Sequence, residues 1–93
     1  MYKILVRNAV DNIFKKLSKK KPQQLKIIQK KIERIARVPY MFKPLRVPLN
    51  NLRRVHIDKS FVLTYSIDEL NKTIILEDYD HHDVIYEKNI IES

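Results

Sequence analysis

The sequence contains no cysteine, so its fold rests on neither disulfides nor thiolate metal sites, and a thiol nucleophile or redox pair is excluded. Glycine is absent as well. That removes the Gly-rich loops through which a backbone approaches phosphate in dinucleotide-binding and P-loop folds, and nucleotide-cofactor chemistry is not expected. No apolar run approaches the roughly 18 residues of a membrane span, and the opening run from Met1 to Arg7 is too short for a secretory signal. The expectation is a soluble, cytoplasmic protein with no membrane partner. Acidic residues are scarce at the start: residues 1–56 hold Asp11 and Glu33 against sixteen Lys and Arg, a net +14, while residues 57–93 carry −6 within an overall +8. A field this lopsided favours a polyanion at one surface, because clustered cations release the counterions condensed on phosphates. A solvated, lysine-coated surface is the plain alternative.

A chain of 93 residues suits a single domain with one modest core, spanning residues 1–93. Tyr2, Ile4 and Val6 alternate with Lys3, Leu5 and Arg7, which predicts a short strand. Asn8 reads as a helix N-cap, with Asp11 placing negative charge in the first turn. Val10, Ile13, Phe14 and Leu17 then form one apolar stripe at helical spacing, interrupted by Ser18 to Lys21. Pro22 suits the first turn of a second helix, in which Leu25, Ile28, Ile32 and Ile35 repeat with heptad spacing. Arg34 and Arg37 complement the dipole of its last turn, and Pro39 should end it. Pro39, Pro44 and Pro48 make the stretch to Asn51 a loop or edge-like segment.

Three β-rich runs follow: Arg53 to Ile57, Phe61 to Asp68 and Thr73 to Tyr79. The links between them, residues 58–60 and 69–72, are short enough to require antiparallel neighbours. Residues 80–93 predict a helical turn or frayed tail around Val84 to Ile91. This order gives an α+β domain. An N-terminal strand leads into a helical hairpin that packs on one face of a small twisted antiparallel sheet, with a short C-terminal helical turn and the other face left for function.

Two groups of residues are candidates for chemistry. Period-2 alternation places Arg54, His56 and Asp58 on one face of their strand and Arg53, Val55 and Ile57 on the other, so a core of Val55 and Ile57 leaves Arg54 and His56 side by side in solvent. The second group, Glu77-Asp78-Tyr79-Asp80-His81-His82-Asp83-Val84-Ile85-Tyr86, lies where the last strand ends, at a loop on a rigid scaffold. Its carboxylates and imidazoles suit a divalent ion, yet neither HExxH nor another recognised ligand spacing occurs. A solvated acidic turn with Tyr86 on the core is the bland reading.

Taken together, Lys43-Pro44-Leu45, Arg53-Arg54-Val55-His56-Ile57 with Phe61-Val62-Leu63-Thr64-Tyr65, and His82-Asp83-Val84-Ile85-Tyr86 resemble the RelE/ParE toxin superfamily, and most of all its YafQ-like branch. The resemblance runs over nearly the whole chain. It implies a RelE-like fold and ribosome-dependent cleavage of mRNA without metal or cofactor, with mRNA, the ribosome and a cognate antitoxin as partners. By position it makes His56 and His82 the acid–base pair and Tyr86 the aromatic that orients or stacks a nucleotide. Lys43 stands where the branch has a histidine, Ser60 where it has an acid, whose part falls to Asp58 or Ser60, and Val62 where RelE-type toxins have a strand arginine, a role left vacant or moved to Arg54. Arg46, Arg53 and Arg54 are candidate phosphate contacts, since guanidinium matches phosphate geometry, and Ser60 and His81 are further RNA contacts. Two other readings stand beside this one. The same fold could serve as a non-catalytic, ParE-like gyrase inhibitor or RNA-binding module, or Glu77, Asp78, Asp80 and the histidines could form a metal-dependent nuclease.

Overall fold

The computed structural model of the protein describes residues 1–49 and 51–88, the last three of them by backbone alone. The described elements run β1 (Lys3–Val6), α1 (Asn8–Lys20), α2 (Pro22–Arg37), β2 (Leu52–Ile57), β3 (Phe61–Asp68), β4 (Thr73–His81) and α3 (His82–Lys88). The strands form one sheet in the order β1-β4-β3-β2. The β2–β3 and β3–β4 pairs are antiparallel, as their short links demand, but β1 runs parallel to β4. The sheet is therefore mixed. A crossover through α1 and α2 returns the chain so that β2 points the same way as β1, and β4, two antiparallel steps on, must then match β1.

The helix boundaries depart from the sequence reading at two points. Arg7, not Asn8, is the residue before the first helical turn, and no side chain caps the helix. Arg7 is held extended because its N–H donates to the Leu76 carbonyl at 3.2 Å and its Nε to Glu77 Oε1 at 3.0 Å, while its own carbonyl accepts from Asp11 N–H. The first helix also continues through Ser18, whose Oγ donates to the Lys15 carbonyl at 2.6 Å and so keeps its hydroxyl inside the helix. The break falls at Lys21, and Pro22 opens α2 as expected. Residues 89–91, included in the expected C-terminal turn, lie outside the described residues.

The core lies between the helical hairpin and one face of the sheet. Val10, Ile28 and Ile35 meet Val55, Ile57, Leu63, Tyr65, Ile74, Leu76 and Tyr79, all buried. Between Leu76 and Tyr79 the spacing is three rather than two. The register shift opposite Thr64 and Tyr65 absorbs the extra residue, so both side chains stay on the core face and Asp78 and Asp80 move to the opposite one. On that opposite face α3 packs against β3 and β4, and Val62 and Ile85 are fully buried outside the main cluster.

Two polar clusters tie loops to this frame. The Tyr65 hydroxyl donates to the buried Pro39 carbonyl at 2.6 Å, and burial pushes its pKa up to about 12. Tyr65→Phe should leave that carbonyl without its side-chain donor and cost about 1–3 kcal/mol, read as a lower urea midpoint. An unchanged midpoint would mean that the carbonyl is satisfied in some other way.

At the far end, Lys72, Tyr40 and Tyr2 all donate to the Glu69 carboxylate, with Tyr40 at 2.5 Å and Tyr2 at 2.9 Å, and together they hold its pKa at about 2. A depressed carboxylate stabilises the fold above its ordinary value of 4.5 and loses that contribution as pH falls toward about 2. The stability gap between the parent and a Glu69→Gln variant should accordingly be constant near neutrality and close in acid. A gap that widens in acid would contradict this origin.

Candidate active site

Strand alternation sets the first half of the site. Val55 and Ile57 are buried in the core, so His56 leaves β2 on the other face and is exposed. Its cross-strand neighbour is Val62, and the neighbour of Val62 is Asp80. The second half comes from the end of β4, where the chain turns into α3 at His82. The His82 N–H donates to the Ser60 carbonyl in the β2–β3 turn at 2.6 Å, fastening the start of α3 beside that turn. The two imidazoles converge as a result. Their ring centroids are 5.7 Å apart with planes tilted by 31°. On its far side, His82 Nδ1 lies 3.3 Å from Asp83 Oδ1.

His56 also borders a cleft of about 530 Å³, lined by Lys31, Met41, Phe42, Lys43, Arg54, Val55 and His56. The outer wall is laced to the edge of β2. Arg54 N–H donates to the Lys43 carbonyl at 3.1 Å and Leu45 N–H to the Leu52 carbonyl at 2.8 Å, around an antiparallel bridge between Pro44 and Arg53. The edge-like behaviour expected of this proline-bearing segment is thus realised. Three cations line the cleft, and burial, then the neighbouring His82 and Arg54, lower the pKa of His56 below its ordinary 6.5. The uncharged form of His56 is thereby favoured, beside a second imidazole. Two imidazoles at this distance can serve as proton acceptor and proton donor to one substrate.

The other sequence candidates separate. Arg54 and Lys43 join His56 at the cleft. Arg53 does not: it lies on the helix-bearing side, donating to the Phe42 carbonyl at 2.6 Å and stacking over the Tyr40 ring at 5.0 Å. It braces the loop and is not positioned with the histidines. Asp58 occupies the turn with φ of 56°, where strand alternation no longer holds, and its charge acts on Tyr79 of the core face. Ser60 serves through its carbonyl. His81 turns to the core side, edge-on to Phe61 at 5.4 Å, away from His82. Arg46 is exposed and is not among the residues lining the cleft. Tyr86 belongs to α3 by backbone, and its side chain lies outside the described residues.

The proposed metal ligands also scatter. Glu77 is engaged by Arg7 and by Ser66 Oγ at 2.6 Å, and no group of three His, Cys, Asp or Glu stands together among the described residues. Among those residues no helix is long and apolar enough to cross a membrane. The sequence reading missed Lys31, Met41 and Phe42. Lys31 is indistinguishable by spacing from its solvated neighbours, and only the direct adjacency of Met41 and Phe42 to Lys43 could have pointed to them.

Comparison with known proteins places this architecture. The family model described as the ParE toxin of the type II toxin–antitoxin system parDE matches residues 4–86. The chain is 53% identical over 88 residues to a protein of Methanocaldococcus jannaschii named "Putative toxin RelE4", an alignment covering 95% of this chain and 94% of that one. Among solved structures, a YoeB/ParE toxin from Agrobacterium tumefaciens superposes with a TM-score of 0.77 at 12% identity, covering 86% of this chain and 98% of the other. A chain of the toxin–antitoxin complex RelBE2 from Mycobacterium tuberculosis gives 0.69 at 23% identity, covering 87% and 98%. At such identities these two structures establish the fold. A helical hairpin on a four-stranded sheet with a short C-terminal helix is the architecture of RelE and YoeB toxins. The chain belongs to the ParE/RelE family and is a toxin of a type II toxin–antitoxin system.

Proposed function

We propose that this toxin is a ribosome-dependent mRNA endoribonuclease that cuts by attack of the substrate's own 2′-hydroxyl, and that a cognate antitoxin silences it in the cytoplasm. The observation that carries the reading is the convergence of His56 and His82, 5.7 Å apart, beside a cleft lined by Lys31, Lys43 and Arg54. In this mechanism His56, whose charged form is disfavoured by partial desolvation, by His82 and by Arg54, takes the proton from the 2′-oxygen as that oxygen bonds to phosphorus. His82 gives a proton to the departing 5′-oxygen, leaving a 2′,3′-cyclic phosphate and a 5′-hydroxyl. Arg54 and Lys43 offset the charge that builds on the phosphorane oxygens. Arg54 thereby takes the place of the strand arginine that RelE-type toxins carry where this chain has Val62. The scheme routes no step through a metal ion or cofactor.

The test is purified toxin with a defined message, with and without ribosomes, followed by primer extension and by analysis of the new ends. Cuts inside codons that need ribosomes and carry cyclic phosphates are the expected result. Linear phosphates at the new ends would point to water activated in another way, and uncut messages would overturn the proposal. The family model's ParE description favours one competing reading, a ParE-like gyrase inhibitor. It predicts arrested replication in cells whose messages remain intact.

A further inference from the structure

The cleft beside His56 is cationic on one side, and its remaining wall has no evident use for a phosphate. Met41 and Phe42 form that wall. Met41 is 47% exposed, whereas Phe42 is partly buried, its ring edge-on to Tyr65 at 6.5 Å. This apolar surface is also held from behind. The Arg53 guanidinium donates to the Phe42 carbonyl at 2.6 Å and Met41 N–H to the Val38 carbonyl at 3.1 Å, so the backbone that carries the two side chains is tied in place.

A volume of about 530 Å³ lies in the range of pockets that take a ligand of nucleotide size. Single-stranded RNA is gripped through two kinds of surface, cations for its backbone and flat or polarisable side chains for its bases. A thioether is polarisable and makes favourable contacts with aromatic rings. We propose that Met41, backed by Phe42, is a base-binding subsite for the nucleotide adjoining the phosphate held between His56 and His82. The proposal rests on the RNA-cleaving reading and adds to it a residue that sets affinity through the base rather than the phosphate. Arg53 then acts as a positioning residue for the shelf.

The sequence has two methionines, so a protein labelled with 13C at the methionine methyls gives two signals, and Met1, 89% exposed, is an internal control. The probe is an RNA trinucleotide methylated at every 2′-oxygen, which its own hydroxyls cannot cut, together with an otherwise identical abasic trinucleotide. The base-bearing probe should shift the Met41 methyl and leave Met1 in place, while the abasic probe should bind without that shift. Met41→Ala should weaken binding of the base-bearing probe about tenfold and leave the abasic probe unaffected, and Met41→Leu should restore most of the loss.

Equal affinity for both probes with an unmoved Met41 methyl overturns the subsite, even if message cleavage is observed. A base-dependent shift in a protein that cuts no message sustains the subsite and removes the nuclease reading instead.

Discussion

A His82→Ala variant should cut messages about 10²–10⁴-fold more slowly than the parent, because the leaving oxygen loses its proton donor. His56→Ala should cost a similar factor, and the double variant little more than either alone, since an acid and a base acting in one transition state are not additive. The His82 side chain is 38% exposed and that of His56 is open to solvent. Truncating either therefore leaves the core intact, and thermal unfolding should report a folded protein.

The pH profile supplies an independent reading. A base must be unprotonated to act, and the pKa of His56 is lowered from 6.5 because partial desolvation of its otherwise exposed ring, then His82 and Arg54, disfavour its charged form. The acid limb of the cleavage rate should therefore lie at lower pH than an ordinary imidazole would give. Neutralising Arg54 removes one of the three causes and should move the limb toward higher pH. Single-histidine variants that cut at nearly the parent rate would remove the proposed chemistry.

Ile35→Ala should destabilise the fold by about 2–5 kcal/mol, the range for deleting a buried branched side chain and leaving a cavity. Ile35 is fully buried in the cluster that joins α2 to Val55 and Ile57 of β2. Small domains are stable by only about 5–15 kcal/mol, so this single change is a large fraction of the total. It should lower the melting temperature by about 8–40 °C, at roughly 4–8 °C per kcal/mol. In cells the variant should lose toxicity through a reduced folded population, and cleavage per folded molecule should remain near that of the parent. That pattern separates it from the histidine variants, which stay folded and do not cut. A melting temperature within a few degrees of the parent would show that α2 docks without this contact.

Some of this molecule is written in local chemistry. The heptad of Leu25, Ile28, Ile32 and Ile35, opened by Pro22 and stopped before Pro39, forms α2 as read, because periodicity and proline stereochemistry act within a few residues. His56 faces solvent because Val55 and Ile57 must not. Local pattern gives way where a distant segment intervenes. Asn8 is not a cap because β4 holds Arg7 extended, and Arg53, offered as a phosphate contact but on the face of Val55 and Ile57, donates to the Phe42 carbonyl. The two apolar residues Leu76 and Tyr79, three apart, were a visible sign of the bulge. Its consequence, the transfer of Asp78 and Asp80 to the open face, needed the pairing partner on β3.

The amino-acid order alone determined the charge field, the absence of thiol and glycine-loop chemistry, the element sequence and the outward direction of His56, since each follows from composition or from a period of two or 3.6 residues. Only the folded chain decided that His82 meets His56 and His81 does not, that Met41 and Lys31 line the cleft beside His56, and that β1 closes the sheet in parallel. Those outcomes depend on contacts between residues far apart in sequence, such as the bond from His82 to Ser60, and spacing along the chain carries no record of them.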